Sequence, residues 1–328
     1  MEPSNSILLS DPEGLICGFM LSPTAPIGSE LLEQIGPGKP AWLHFNWADA
    51  RARNWLKEQA NVPSLALESL LEVDPHAHLQ LLPEGFVAIL RDVNHEFASS
   101  ELEFGTLGIY LERWRVISGR RQPLQTLDTM RRELLDGVQL ESPMGWFEHL
   151  VERLAETYDG VVVKITAKLE TAEDEILAGR FRDQGAELRR MRWELARLRR
   201  HALSNRSTLL RLPGHLPHFC GPERRQSLSQ AIDGFASVAQ DLELAEERAR
   251  LLQEEISARL GEDLNRNLYL LSIVTTAMLP VTLITGIFGM NVGGLPWLED
   301  NRGFASVMFL MALALVVSLT VIFRTRPQ

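Results

Sequence analysis

Two long uncharged stretches near the C-terminal end constrain this chain more than any other feature of its sequence. Leu268–Phe288 spans 21 residues and Phe304–Phe323 spans 20, and neither stretch contains a charged side chain. An α-helix needs about 20 consecutive apolar residues to cross a bilayer. We therefore predict two transmembrane helices. Pro280 inside the first is compatible with a membrane helix when its neighbours satisfy the freed backbone carbonyl.

The distribution of basic residues predicts how these helices cross the membrane. Six arginines lie before the first span or after the second: Arg248, Arg250, Arg259, Arg266, Arg324 and Arg326. The short connection between the spans holds only one arginine, Arg302, together with the acidic residues Glu299 and Asp300. The positive-inside rule then places both termini in the cytoplasm and the connection outside. We expect a multi-pass protein of the bacterial inner membrane. Two helices cannot enclose a pore alone, so a pore would require a symmetric ring of copies.

Charge and motif content exclude several other classes of protein. The formal net charge of −10 argues against a general nucleic-acid binder and favours cations near the surface. An arginine-rich segment at 189–200 is interpreted as one face of a packed helix, because Leu188, Met191, Leu195 and Leu198 form an apolar stripe within it. Two cysteines are too few for a disulfide framework. The sequence has no phosphate-binding glycine loop, nucleophile elbow or HExxH helix, so we predict no enzyme.

The segment patterns predict an α+β membrane protein with an N-terminal α/β cytoplasmic domain. A strand at Ala41–Trp47 and a hairpin around Pro83-Glu84-Gly85 indicate the sheet, and prolines mark the starts of two helices. A helical hairpin follows, with helices at about 144–177 and 186–210. One helix from about Ser227 to Phe288, about 90 Å long at 1.5 Å per residue, then joins the cytoplasmic part to the first span; the alternative is two helices with a kink near Gly261. The predicted boundaries are 1–142, 143–223, 224–288 (membrane part 268–288), 289–303 for the external loop, 304–323 and 324–328.

The outer end of the first span carries a family resemblance. Gly289-Met290-Asn291 follows a helix containing Pro280 and Thr282, and a short loop and a last membrane helix come next. This arrangement resembles the CorA family of divalent metal ion transporters. The loop Val292-Gly293-Gly294-Leu295-Pro296-Trp297 is more similar to the ZntB zinc-transporter branch, since magnesium-transporting members usually have an acidic residue where Trp297 stands.

The resemblance implies a homopentamer whose first spans line a central pore and whose long helices form the wall of a cytoplasmic funnel. It implies that Gly289, Met290 and Asn291 are the selectivity motif. The transported substrate would be a divalent cation, with zinc favoured and magnesium, cobalt, nickel and cadmium as further candidates, and no prosthetic group is expected. A magnesium/cobalt-type channel is one alternative. A membrane-anchored helical scaffold or sensor without transport is an alternative of another class.

Helical spacing extends the predicted pore face inward from the motif. Counting back from Asn291 in helical steps gives Gly286, Thr282, Leu279, Thr275, Ser272, Leu268 and Asn265. A ring of Asn291 amides would hydrogen-bond a hydrated ion without holding it too tightly to release it. The hydroxyls would contact water around the ion, and the leucines would form apolar constrictions. The alternatives are that Asn291 caps the helix and that each hydroxyl bonds to its own helix.

Two other groups of residues are candidate metal ligands. His76 and His78 would face the same side of a strand, as two zinc ligands could. His215, His218 and Cys220 form a second group in a proline-rich break, although no fourth ligand is near. For both groups the alternative is an ordinary surface position. Four acidic residues at a hairpin tip would either concentrate cations or form a solvated face: Glu170, Glu173, Asp174 and Glu175.

Overall fold

The computed structural model describes residues 14–28, 35, 38–73, 75–94, 102–180, 184–290, 292, 295–297 and 302–324. The chain divides into two compact units, Met1–Gln253 and Glu254–Gln328. This division lies inside one long helix, and the domain boundaries expected from the sequence stay predictions.

The first unit contains a seven-stranded sheet in the order β2-β1-β3-β7-β6-β5-β4. Strands β3 and β7 run parallel, and the other neighbouring pairs run antiparallel. The predicted hairpin is present as β4 and β5, joined at Pro83-Glu84. The strands are β1 (Leu15–Leu21), β2 (Thr24–Ile27), β3 (Ala41–Asn46), β4 (His78–Leu82), β5 (Gly85–Val93), β6 (Phe104–Glu112) and β7 (Arg115–Arg120).

The α-helices within the described residues are α1 (Ala50–Glu58), α2 (Ser64–Leu71), α3 (Gln125–Leu135), α4 (Pro143–Leu177), α5 (Gln184–Leu209), α6 (Pro222–Phe288) and α7 (Gly303–Arg324). Helix α4 starts at a proline with Ser142 as its cap, whose hydroxyl accepts a hydrogen bond from the Gly145 amide at 3.1 Å. Helix α6 is assigned as one helix of 67 residues that contains both Gly261 and Pro280. It therefore begins five residues before the expected start at Ser227.

Both faces of the sheet are covered by apolar side chains. On one face, Phe45 stacks between Trp47 and Trp55, at centroid distances of 5.6 and 4.6 Å. On the other face, Trp42 contacts Trp146 of α4 at 5.1 Å. Each fully buried side chain of this size contributes about 1.5–3 kcal/mol of hydrophobic stabilisation, so the sheet is a stable platform for the helices.

Hydrogen bonds to the backbone of β5, beyond its pairing with β4, fix α4 and α5 against the sheet. The Asn205 side chain of α5 accepts from the Arg91 amide at 2.8 Å and donates to the Arg91 carbonyl at 2.7 Å. The Tyr158 hydroxyl of α4 donates to the same carbonyl at 2.9 Å. Buried backbone groups need such partners, so these two side chains determine where the helical hairpin docks.

Candidate functional site

In the second unit, Glu254–Gln328, which we call the membrane unit, helix α6 packs through one stripe of residues. Ile273, Ala277, Ile284 and Phe288 are less exposed than their neighbours, and Ala277 is only 5% exposed. The Thr285 hydroxyl lies 3.5 Å from the Met311 sulfur of α7. Helix α7 has a matching half-buried stripe that includes Ala314 and Ser318. Small residues on both helices allow close approach, as is usual between membrane helices.

The residues predicted to line a pore lie on the opposite side of α6. Leu268 and Gly286 are each nine residues from Ala277, which is two and a half helical turns, so they face away from the α7 contact. Leu268 and Leu279 are 56% and 65% exposed. The complete predicted set is exposed on this unpacked face: Asn265, Leu268, Ser272, Thr275, Leu279, Thr282 and Gly286.

The threonine hydroxyls of this face bond to their own helix. Thr275 donates to the Leu271 carbonyl at 2.8 Å, and Thr282 donates to the Met278 carbonyl at 2.9 Å. This is the alternative considered for the hydroxyls, and it is compatible with pore exposure. Each oxygen keeps acceptor lone pairs after donating its only proton. An exposed acceptor suits water in a cation's hydration shell, because that water directs its hydrogens outward.

A shallow groove of about 760 Å³ runs along this part of α6. Four of the predicted pore residues line it, namely Thr275, Leu279, Thr282 and Gly286, and Met290 of the motif lies at the end of the groove nearest the C-terminus of α6. A Cβ atom at Gly286 would meet nothing within 4 Å apart from its adjacent residues and the backbone of its own helix turns. Space is therefore open beside Gly286 in the single chain.

Hydrogen bonds of its own last turn complete the C-terminal end of α6. The Gly289 amide donates to the Thr285 carbonyl at 2.8 Å, and the Met290 amide donates to the Ile287 carbonyl at 3.3 Å. Asn291, the third motif residue, lies outside the described residues, so its predicted roles in the pore and as a helix cap stay predictions. Further along, Trp297 has a φ of 64° and its carbonyl contacts Gly303 so closely that a Cβ at Gly303 would overlap it. Gly303 is therefore required where the loop meets α7.

The two candidate metal groups are not assembled as predicted. His76 precedes β4 and His78 is its first residue, so the two do not share a strand face, which corrects that expectation. The His78 ring lies 2.8 Å from the His76 carbonyl and 3.3 Å from the Ser69 hydroxyl. These contacts occupy its nitrogens with protein partners.

The second candidate group fails for a different reason. Across the described residues, no group of three or more His, Cys, Asp or Glu side chains is arranged to hold a metal, and this includes His215, His218 and Cys220. A ring nitrogen of His215 lies 3.0 Å from the Arg211 carbonyl. Burial, together with the charge of Glu148, raises the pKa of Cys220 to about 11.

Several charged residues of the helical hairpin form ion pairs, mostly with residues of α6. At the acidic tip, Glu170 and Glu173 contact Arg248 of α6, and Glu175 pairs with Arg180. In the arginine-rich segment, Arg199 contacts Glu243 and Glu246, as expected for a packed helix face. The sequence missed the Arg248 pair, because its partners are about 75 residues apart along the chain.

Comparison with known proteins adds an independent finding. Residues 38–324 match the protein-family model described as CorA-like Mg2+ transporter protein. A zinc transport protein ZntB from Pectobacterium atrosepticum is 26% identical over 292 residues, which is 89% of this chain and 87% of that protein. The divalent cation transporter CmaX from Pseudomonas aeruginosa is 28% identical over 301 residues, covering 90% of this chain and 91% of the relative.

Solved structures match nearly the whole chain. The full-length CmaX protein superposes with a TM-score of 0.81 at 27% identity, covering 96% of this chain and 99% of that one. The CorA magnesium transporter from Methanocaldococcus jannaschii also gives a TM-score of 0.81, at 17% identity, covering 94% and 98%. This second likeness establishes a shared fold alone.

Proposed function

Because this chain belongs to the CorA-like Mg2+ transporter protein family, we propose that it transports divalent cations across the bacterial inner membrane. The conducting path is the axis of a homopentamer, lined by the free face of α6. Both termini lie in the cytoplasm, and the loop between α6 and α7 lies outside. The cation is substrate, and the chain needs no prosthetic group and performs no enzymatic reaction.

The observation that carries the proposal is the division of α6 into two faces. One face packs on α7, and the opposite face is exposed and carries hydroxyl and leucine side chains at helical spacing. The outer surface of α7 exposes Phe304, Phe309 and Val316, which suits lipid tails. A ring of copies with α6 inside and α7 outside would satisfy both surfaces. It would also explain why two membrane helices per chain are sufficient for a pore.

The chemistry of the pore follows from the cost of dehydrating a divalent ion. Mg²⁺ in particular gives up its water reluctantly, so neutral acceptors that contact the hydration shell are better suited to conduction than carboxylate ligands. Thr275 and Thr282 supply such acceptors within the membrane. We assign the Asn291 amides to the external mouth, where their oxygens would accept hydrogen bonds from bound water. Leu268 and Leu279 would form the apolar constrictions.

Zinc is the favoured substrate within this class. The support is the loop ending in Trp297 together with ZntB relatives that match most of the chain. Magnesium, cobalt, nickel and cadmium are the competing ions to compare. A magnesium preference would place this chain functionally with the magnesium-transporting members despite the loop.

Transport is tested with purified full-length protein in liposomes loaded with a zinc-sensitive dye. Asn291→Ala should lower zinc influx about tenfold, equivalent to about 1.4 kcal/mol on the barrier, while native mass spectrometry still detects pentamers. Asn267→Ala removes an amide from the same helix outside the predicted pore face and should retain wild-type influx. Magnesium competition and a pH gradient, each applied separately, would identify the preferred ion and any proton coupling.

Two outcomes would overturn parts of this proposal. Wild-type influx in Asn291→Ala would remove the amide ring from the mechanism. Absence of flux for every divalent ion tested, with intact pentamers, would favour the membrane-anchored scaffold or sensor.

A further inference from the structure

Two grooves flank α6 within the first unit, one on each side of its exposed ridge. The groove between α5 and α6 has a volume of about 1040 Å³ and is named here the basic groove. The groove between α4 and α6 measures about 430 Å³ and is named the acidic groove. Leu244 lines both of them, so it marks the ridge that separates them.

The basic groove has arginine charge that its own carboxylates do not neutralise. Arg199 is paired with Glu243 and Glu246, and Arg250 with Glu247. Arg192 donates to the neutral amide of Gln253, and Arg189 makes no ion pair within the part of the chain that the structure describes. Four arginines therefore face three glutamates, and the two arginines without carboxylate partners both lie on α5.

The acidic groove has the opposite imbalance. Its one arginine, Arg248, is already held by Glu173 at 2.6 Å and by Glu170 at 3.5 Å. Asp159 of α4 and Asp241 of α6 are both exposed, and neither has an ion-pair partner among the described residues. Two carboxylates without cationic partners thus line this groove.

Exposed apolar side chains lie beside the unpaired charges. Trp193 in the basic groove is 49% exposed, Val163 in the acidic groove is 60% exposed, and Leu244 on the ridge is 63% exposed. Large apolar side chains within a charged surface are typical of protein interfaces, where tryptophan and arginine are enriched. The combination indicates a protein partner rather than a small ion.

We propose that the acidic groove of one copy docks against the basic groove of the next copy, with Asp159 and Asp241 facing Arg189 and Arg192. The two grooves are different surfaces on opposite flanks of the same helix, so this contact is head-to-tail. Head-to-tail contacts generate rings when the rotation closes. The interface rests on the ring assembly proposed above and adds which surfaces form it and which charges set its direction.

The test uses full-length protein and a zero-length carbodiimide, which joins a carboxylate to a primary amine. Arg192→Lys keeps the positive charge and supplies the amine. Mixed rings of ¹⁴N- and ¹⁵N-labelled copies identify links between chains by mass spectrometry. We expect an interchain peptide joining position 192 to Asp159 or Asp241, and we expect its loss when both aspartates are replaced by asparagine. Arg200→Lys, on α5 outside the groove, is the matched control.

Each outcome has a distinct meaning. Pentamers without this interchain peptide would overturn the proposed interface and leave the transport proposal intact. A link from position 192 to a different protein in membranes would overturn it as well. The expected peptide in a protein without cation flux would support the interface and contradict the proposed function.

Discussion

At the scale of single residues, Asp92 is the buried carboxylate that connects the sheet to α3. It accepts hydrogen bonds from the Thr126 hydroxyl at 2.7 Å, the Thr126 amide at 3.2 Å and the Val93 amide at 2.7 Å. These bonds and the charge of Arg120 favour the ionised form. Burial outweighs them and raises the pKa of Asp92 to about 7.

This raised pKa predicts a pH dependence of stability. Between pH 4 and 7 the folded protein retains a proton on Asp92 that the unfolded chain has released, so the free energy of unfolding falls as pH rises. The slope from this group is at most about 1.4 kcal/mol per pH unit and vanishes above its folded pKa. Asp92→Asn should remove this part of the slope. Unfolding of the first unit in the full-length chain, followed by tryptophan fluorescence, measures it.

The matched control for that experiment is Glu58→Gln, which removes an exposed carboxylate on α1. An identical pH slope in wild type and Asp92→Asn would contradict the assignment of the proton to Asp92. If Asp92→Asn is too unstable to measure directly, Thr126→Ser is measured instead at intermediate pH. This variant keeps the hydroxyl that donates to Asp92.

The sequence could group single residues only where one periodic pattern governs them. Helical spacing groups Thr275 and Thr282 on one face of α6, because the period follows from the helix itself, and both side chains are exposed. Their place in a pore stays a prediction. The sequence did not predict the acceptor of their hydroxyl protons, because it does not distinguish water from the backbone carbonyl one helical turn back. His76 and His78 do not share a strand, because β4 begins at His78, two residues after His76. Asn291 lies outside the described residues, and its role is still a prediction.

At the scale of elements, the contact between α6 and α7 depends on small side chains. Ala277 is nearly buried in this contact, so Ala277→Leu should force the helices apart and cost about 1–3 kcal/mol. We expect a lower melting temperature of the membrane unit in detergent, measured by circular dichroism. Val274→Leu enlarges an exposed side chain of the same helix and should have little effect. Equal melting of the two variants would contradict close packing at Ala277.

The helices were more predictable than the sheet edge. Long apolar periodicity predicted α4, α5 and α6 to within a few residues. In contrast, β1 and β2 were missed, because β2 contains Pro26, which cannot donate a ladder hydrogen bond and argues against a strand. Its position at the edge of the sheet makes the proline acceptable. The α7-facing stripe of α6 was also missed, since neither span contains a charged residue that would mark one side as buried or exposed.

At the scale of the whole molecule, fold likeness does not identify which divalent cation this chain transports. CmaX and the archaeal magnesium transporter superpose on this chain with the same TM-score of 0.81, although their identities are 27% and 17%. We therefore look for the determinants of the substrate in local features, namely the loop between α6 and α7 and the predicted pore face. These features are the ones that the transport experiment compares.

The proposed orientation of the chain in the membrane gives the last prediction. Trp297 is exposed in the loop between α6 and α7, and Glu58 is exposed on α1. A membrane-impermeant maleimide should label Trp297→Cys in intact spheroplasts, and should label Glu58→Cys only after permeabilisation. Native thiols give little background at neutral pH, because burial raises the pKa of Cys17 to about 12 and that of Cys220 to about 11. The reverse labelling pattern would invert the orientation, and the Asn291 ring would then have to stand at the cytoplasmic mouth.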